Sequence, residues 1–149
     1  MYRGSAKYRD ACDSGKVIYS SYYRTLLELN KVQMYGYDVN VFLQKRGISK
    51  YALVGCNDVT AIFAELFLAK NSVIYEVNTS RHRGNYKNCI LRDYSELGKD
   101  DSIQLYIVMS NYNFNEQMEI LAEKNIPISR IISVEELLAD VIVTKGGCR

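Results

Sequence analysis

The pattern of apolar positions along the chain changes character near Gly47. Before this glycine, apolar and tyrosine residues recur at helical spacing over residues 17–33, and a shorter helical pattern covers residues 38–45. Gly47 itself suits the position just after the end of a helix, where glycine is common. The pattern predicts an N-terminal helical segment over residues 1–47 that packs on the domain after it.

Beyond Gly47, short apolar runs alternate with amphipathic stretches, as is typical of a parallel α/β sheet. The predicted strands cover residues 51–55, 72–78, 88–91, 103–109 and 128–133. The predicted helices cover residues 58–70 and 114–124, and a last helix opens at Ser133. We therefore expect a Rossmann-like doubly wound parallel sheet of about five strands, in the order 3-2-1-4-5, over residues 48–142. Residues 143–149 are expected to form a flexible tail.

Composition agrees with one globular domain. The chain has 149 residues, of which 48% are apolar and 24% are charged. No apolar run approaches the length of about twenty residues that a membrane span needs, and the opening residues MYRGSAKYRD are not a secretory signal. The four cysteines are widely separated and form no CxxC motif. We expect a soluble cytoplasmic protein with reduced thiols, no transmembrane segment and no metal site.

Charge is unevenly placed along the chain. Residues 1–50 carry nine Lys or Arg against four Asp or Glu, whereas residues 51–149 carry ten against thirteen. A basic first third could face nucleic acid or an anionic membrane. Its basic residues are scattered, however, so a solvated helix face is the favoured interpretation, and we expect no nucleic-acid partner.

The first candidate site is the turn after the first predicted strand, compared with the dinucleotide motif G-x-G-x-x-G. Gly55 matches the first glycine, but Asn57 and Thr60 stand at the other two. Asn57 tolerates left-handed backbone, so the turn can survive, although its side chain would crowd a diphosphate. Asp58 would repel a phosphate at the same amides, so a helix cap that binds no anion stays open as the alternative. The candidate residues are Gly55, Cys56, Asn57, Asp58 and Val59.

The second candidate site follows the second predicted strand. Nucleotide folds place an acid there for the ribose hydroxyls, and by alignment this slot holds Asn78. Ser80, Arg81 and Arg83 come next and suit a ribose 2′-phosphate or another phosphate. A solvated basic loop is the alternative. His82, the single histidine, lies between two arginines and is a poor metal ligand.

The third candidate site is the loop after the strand at 103–109. Ser110, Asn111 and Tyr112 offer hydroxyl, amide and aromatic groups, which suit a sugar or a base. As ordinary turn residues they need no ligand. No GxSxG motif, catalytic triad or Tyr-x-x-x-Lys pair is present, so the catalytic residues are unknown and a noncatalytic role is favoured.

Several phrases carry a family resemblance. The run LLELNKVQMYGYDVNVFLQKRGISKYALVGCNDVTAIFAELF resembles small Rossmann-like accessory domains of bacterial surface-polysaccharide biosynthesis proteins, which commonly accompany glycosyltransferases. In that family a lead-in like G-x-S-I-x-x-Y-L-x-x-x-G precedes a strand and then G-x-G-E-x-G. Gly36 and Gly47 follow the lead-in, and Asp58 replaces the usual glutamate. The phrase IISVEELL at 131–138 is similar to the family's closing phrase, I-I-S-L-E-E-L.

The resemblance implies a noncatalytic module that binds a sugar nucleotide, or mediates assembly, in cell-surface polysaccharide biosynthesis. Its implied partners are a nucleotide-sugar ligand and a glycosyltransferase or other biosynthetic domain of the same parent protein, from which this chain is expected to be a piece. The cofactor is unknown, with NAD(P) or a nucleotide sugar open. Two alternatives stay open: an NADP-dependent oxidoreductase or epimerase, and a structural dimerisation domain that uses the tyrosine-rich helix to form a homodimer.

Overall fold

The computed structural model of the chain describes residues 3–68, 72–76 and 89–145. These described residues form five α-helices and five strands, and the first two helices precede all of the strands. The helices are α1 (Arg3–Met34), α2 (Val39–Lys45), α3 (Asp58–Phe67), α4 (Phe114–Glu123) and α5 (Val134–Thr144). The strands are β1 (Tyr51–Val54), β2 (Ser72–Glu76), β3 (Cys89–Asp93), β4 (Leu105–Val108) and β5 (Ile131–Ser133).

The five strands form one parallel sheet in the order β3-β2-β1-β4-β5. The central strand β1 pairs on one side with β2, where Val54 lies opposite Tyr75, and on the other with β4, where Val54 lies opposite Val108. This arrangement confirms the predicted α/β class and strand order. The two halves of the chain wind outwards from β1 and β4, so the strand order reverses between them.

Alternate side chains of the strands build two separate cores, one on each face of the sheet. On one face Leu53, Ile74 and Ile107 join residues of α1, α2, α3 and α5. On the other face Val54, Tyr75 and their neighbours join residues of α4 and of the segment that leads from β3 to β4. Successive side chains of a strand point to opposite faces of the sheet, so each strand contributes buried residues to both cores.

The N-terminal helices share the first of these cores. Leu29 and Val32 of α1 are buried in the same cluster as Leu137 and Val141 of α5. Asp38 caps α2 by accepting a hydrogen bond from the Asn40 amide over 2.8 Å. No helix within the described residues is long and apolar enough to cross a membrane.

Several element boundaries differ from the predicted ones. Helix α3 ends at Phe67 because Leu68 is extended, so the predicted span to residue 70 is too long. The predicted strand 128–133 opens with a 3₁₀ turn at Ile128–Arg130, so only its second half pairs with β4. Helix α5 continues through Thr144, which makes the first two residues of the predicted tail helical. Residues 146–149 lie outside the described part of the chain.

A polar network holds the edge of the sheet where the strands begin. Asp100 accepts from the Arg92 guanidinium over 3.0 Å and from Lys50 Nζ over 3.3 Å. The Ser102 hydroxyl donates to the same carboxylate. The side chain of Gln104 accepts from the Ser49 amide over 2.8 Å. These contacts fix the start of β1 against the start of β4.

Candidate functional site

Ligands of doubly wound sheets bind beyond the carboxyl ends of the strands, where the strand order reverses. In this chain that position lies between the ends of β1 and β4, at Val54 and Val108. We call the space between the two loops that follow these strands the crevice. Its described walls are residues 55–60 and 109–116.

Gly55 makes the sharp turn out of β1. Its φ is +100°, a left-handed value that favours glycine, and its amide donates to the Tyr75 carbonyl over 2.8 Å. Asn57 does not share this conformation: its φ is −153°, in the extended region. Gly55 therefore provides the left-handed residue of this turn. Asn57 does not adopt the left-handed conformation that its residue type would allow.

Asn57 and Thr60 close a reciprocal cap on α3. Asn57 Oδ1 accepts from the Thr60 amide over 3.0 Å, and Thr60 Oγ1 accepts from the Asn57 amide over 3.2 Å. Thr60 Oγ1 also donates to the Gly55 carbonyl over 2.7 Å. A diphosphate in a dinucleotide fold binds backbone amides of this turn. Here two of those amides already donate to the protein's own side chains.

Asn57 also spans the crevice. Its Nδ2 donates to the Met109 carbonyl over 3.0 Å, and thereby joins the loop after β1 to the loop after β4. A glycine at this position in the dinucleotide motif leaves room for a pyrophosphate to approach the backbone. The Asn57 side chain fills that room and holds its two walls together.

Glu76, the last described residue of β2, reaches the same turn. Its Oε2 accepts from the Cys56 amide over 2.8 Å, which leaves a carboxylate where an incoming phosphate would sit. The sequence alignment predicts Asn78, not Glu76, for the acid position of the dinucleotide motif. The spacing of about twenty residues between the first glycine and the acid of the dinucleotide motif was the signal that could have found it. Asn78, Ser80, Arg81, His82 and Arg83 lie outside the described residues.

The other three side chains among the candidates of this turn have different surroundings. Val59 is buried in the core and offers no group to a ligand. Asp58 is exposed in the first turn of α3, where its charge suits the helix dipole. Cys56 is half-buried and packs against the core of the α1 face. Of the predicted residues 55–59, only the backbone of the turn and the Asn57 and Asp58 side chains border the crevice.

The loop after β4 borders an open pocket of about 400 Å³. Tyr112 is partly exposed, whereas Ser110 is buried and donates to Asn113 Oδ1. Ser110 therefore supports the loop from below, and Asn111 and Tyr112 remain as groups that a ligand can contact. The residues that line the pocket are Asn111, Tyr112, Asn113, Phe114, Asn115 and Glu116.

Helix α1 supplies a wall that sequence analysis did not assign. The ring of Tyr22 meets the ring of Tyr112 edge to face, with centroids 6.1 Å apart and planes at 78°. Burial, the neighbouring Tyr112 and the charge of Asp58 together raise the pKa of Tyr22 to about 12. Tyr22 thus stays protonated at neutral pH, and it can donate a hydrogen bond.

Tyr94 is a second aromatic side chain that sequence analysis missed. It follows β3, and its hydroxyl donates to Gln117 Oε1 over 2.9 Å. Burial raises the pKa of Tyr94 well above its usual value, and the nearby Glu76 and Cys56 raise it further. This places Tyr94 electrostatically close to the turn after β1. Long-range contacts of this kind leave no signal in the spacing of the sequence.

The chemistry of the crevice follows from these groups. Its walls and their neighbours offer hydrogen-bond donors and acceptors, the carboxylates of Asp58, Glu76 and Glu116, and the tyrosines Tyr22, Tyr94 and Tyr112. No group of three or more His, Cys, Asp or Glu side chains within the described ranges is arranged to hold a metal ion. Comparison of the chain with protein-family models, with curated proteins and with solved structures finds no match.

Proposed function

We propose that this chain is a noncatalytic Rossmann-like module that binds a sugar nucleotide through its sugar, as part of a larger assembly for bacterial cell-surface polysaccharide biosynthesis. The observation that supports this most is the hydrogen bond from the Cys56 amide to Glu76. Because the Cys56 amide already donates to Glu76, the turn after β1 presents a carboxylate acceptor instead of an amide that could bind an anion. The biosynthetic setting rests on the family resemblance alone.

A carboxylate at this position selects by charge. Glu76 and Asp58 repel a phosphate group, whereas the hydroxyls of a sugar or ribose can donate to Glu76. Charge-assisted bonds of this kind are about twice as strong as bonds between neutral groups. The turn therefore favours the hydroxyl-bearing part of a ligand and disfavours a diphosphate on the amides of α3.

The pocket at the loop after β4 suits a polar ligand of this kind. A volume of about 400 Å³ falls within the range of small-molecule sites, and side-chain amides with a tyrosine ring offer hydrogen bonds and a stacking surface. The phosphates then lie away from α3. Arg81 and Arg83 remain the residues that the sequence predicts to bind these phosphates.

The tyrosines beside the crevice suit hydrogen bonding to a ligand better than proton abstraction. A general base acts best with a pKa near the working pH. The pKa values of Tyr22 and Tyr94 are raised above the ordinary value for tyrosine. Both side chains remain protonated and suit ligand positioning rather than proton abstraction.

A thermal-shift experiment tests the proposal. Uridine diphosphate glucose, NAD and NADP are each offered to the protein, and the melting temperature is measured. A ligand at about a hundred times its dissociation constant stabilises by roughly 2.7 kcal/mol. We expect the sugar nucleotide to raise the melting temperature and NAD to leave it unchanged. The Glu76→Gln variant should lose most of the shift.

The matched control is Glu65→Gln, which removes an exposed carboxylate of α3 away from the crevice. It should keep the full shift. A rise with NADP alone would instead favour the oxidoreductase alternative, and Arg81→Ala would then test the 2′-phosphate contact. If neither a nucleotide sugar nor free UDP or glucose changes the melting temperature, the binding proposal is overturned.

A further inference from the structure

Helix α1 carries a second apolar surface on its outer side. An α-helix turns about 100° per residue, so Tyr19, Tyr23, Leu27 and Met34 line one side of α1. Ser21, Thr25 and Val32 are buried on the opposite side, against the domain. The outer four side chains are between 42 and 77% exposed. We call them the outer stripe.

The area of the outer stripe is close to what a specific interface needs. A fully covered tyrosine buries about 150–250 Å², so the exposed parts of the four side chains amount to about 500 Å² per copy. Two facing stripes bury about 1,000 Å² in total, and the flanking charged residues bring this into the range of about 1,200–2,000 Å² for stable complexes. Single exposed apolar residues need no partner, whereas an apolar patch of several hundred Å² is often functional.

A groove lies directly beside the stripe. It has a volume of about 190 Å³ and runs between α1 and α5. Its lining combines apolar side chains with charged ones. The groove is lined by Arg24, Leu27, Glu28, Lys31, Glu135 and Ala139.

A tyrosine is the side chain that fits this groove, because it combines an apolar ring with a hydroxyl donor at its tip. The outer stripe itself presents two exposed tyrosines, Tyr19 and Tyr23. The exposed tyrosines and the groove that could receive one of them therefore lie on the same surface of the chain. A self-complementary surface of this kind is what a two-fold symmetric dimer requires.

Charge fixes the direction of the two helices. In an antiparallel pair of α1 helices that cross near Leu26, Arg24 of one copy faces Glu28 of the other. Arg24 makes no ion pair within the described part of the chain, and Glu28 lies 3.6 Å from Lys31 of its own helix. The crossing also sets Tyr23 beside the groove at Leu27 of the second copy.

From these observations we infer that the chain forms a two-fold homodimer through antiparallel α1 helices, with Tyr23 of each copy inserted in the groove between α1 and α5 of the other. Arg24 pairs with Glu28 across the axis, and the Tyr23 hydroxyl lies at the charged rim of the groove. This inference does not depend on the ligand of the crevice, since the outer stripe faces away from the domain.

Sedimentation velocity over a range of concentrations tests the inference. We expect a species of twice the 17.1 kDa monomer mass that dissociates on dilution. Tyr23→Ala should weaken dimerisation by about tenfold or more, as is usual for a central aromatic residue. Ile128→Ala removes a comparably exposed side chain far from α1 and should leave the dimer unchanged. Circular dichroism melting establishes that each variant is folded.

Charge exchange then tests the antiparallel geometry. Arg24→Glu and Glu28→Arg should each weaken the dimer, and the double variant should restore it, since the pair is then rebuilt with reversed signs. A monomer at every concentration overturns the inference, and leaves the stripe to a different protein. A dimer that survives Tyr23→Ala, or a double variant without recovery, overturns the α1 interface as described.

Discussion

The side-chain amide of Asn57 donates to the carbonyl oxygen of Met109 over 3.0 Å, and so joins the two loops that meet where the strand order reverses. The same side chain caps α3 through the Thr60 amide. One residue therefore stabilises a helix and closes the space that a dinucleotide would occupy. At the position of the motif's second glycine, Asn57 thus links two loops and caps a helix.

Asn57→Ala tests these two roles. The variant loses an N-cap, which costs about 0.5–2 kcal/mol, and leaves the Met109 carbonyl without this donor. We expect the free energy of unfolding in urea to fall by about 2 kcal/mol. Asn115→Ala, at an exposed position in the first turn of α4, should change it by less than about 0.5 kcal/mol. Equal losses in the two variants would contradict the role given to Asn57.

Gly98→Ala should destabilise the fold strongly. Gly98 has a φ of +82°, and a Cβ built there would overlap the Lys124 carbonyl oxygen. Gly36→Ala is the matched control, because its φ is +70° and nothing lies within 4 Å of the added carbon. We expect a loss of about 1 kcal/mol for the control, from backbone strain alone, and about 2–4 kcal/mol for Gly98→Ala. Urea denaturation measures both, and similar values would rule out the contact with Lys124.

Tyr51→Phe should reveal a buried polar link between three elements. The Tyr51 hydroxyl donates to Asn40 Oδ1 over 2.7 Å, and Asn40 Nδ2 donates to the Phe67 carbonyl over the same distance. Removal of the hydroxyl leaves a part-buried acceptor without its donor, which costs about 1–3 kcal/mol. Tyr35→Phe, at an exposed position, serves as the control in thermal unfolding. The prediction is wrong if both variants melt together with the unchanged protein.

The contribution of Asp100 to stability should depend on pH. Hydrogen bonds from Ser102 and Arg92 hold the pKa of Asp100 well below its usual value. A carboxyl whose pKa is lowered by folding stabilises the protein above its ordinary pKa, which is about 3.9, and loses this contribution as the pH falls. The melting temperatures of the unchanged protein and of Asp100→Asn should therefore differ by a constant amount above about pH 5. This difference should shrink progressively as the pH falls below about 4.

The exposed neighbour Asp101 provides the comparison for this titration. Asp101→Asn should follow the unchanged protein closely across the whole range, because its side chain is not held in the network of Arg92 and Lys50. A gap for Asp100→Asn that stays constant down to pH 2 would show that the charge of this carboxylate is not what stabilises the fold.

Much of the fold could be predicted from the chain itself. The alternation of apolar runs and amphipathic stretches after Gly47 predicts the helix and strand sequence, and a parallel sheet with right-handed crossovers then limits the strand order. The ends of the helices and strands are harder to predict, because residues with helix or strand propensity continue beyond the point where the element ends. Residues 128–130 read as strand, yet Pro127 starts a 3₁₀ turn there.

The candidate site was predictable only where it follows the order of the chain. The turn at Gly55 and the loop at Ser110 come directly after strands, so topology alone brings them to one edge of the sheet. Tyr22 reaches Tyr112 through the packing of α1, and Glu76 reaches Cys56 through the direction of one side chain. Such contacts depend on tertiary packing, which the spacing of residues does not encode.

Tyr22 and Tyr23 are consecutive residues of α1, yet the first touches the wall of the crevice and the second belongs to the outer stripe. A rigid helix passes a rotation or a shift at one of these side chains directly to the other. We therefore expect that a ligand which displaces Tyr22 also changes the association of copies along α1. Thermodynamic linkage then requires each binding event to change the affinity of the other by the same factor.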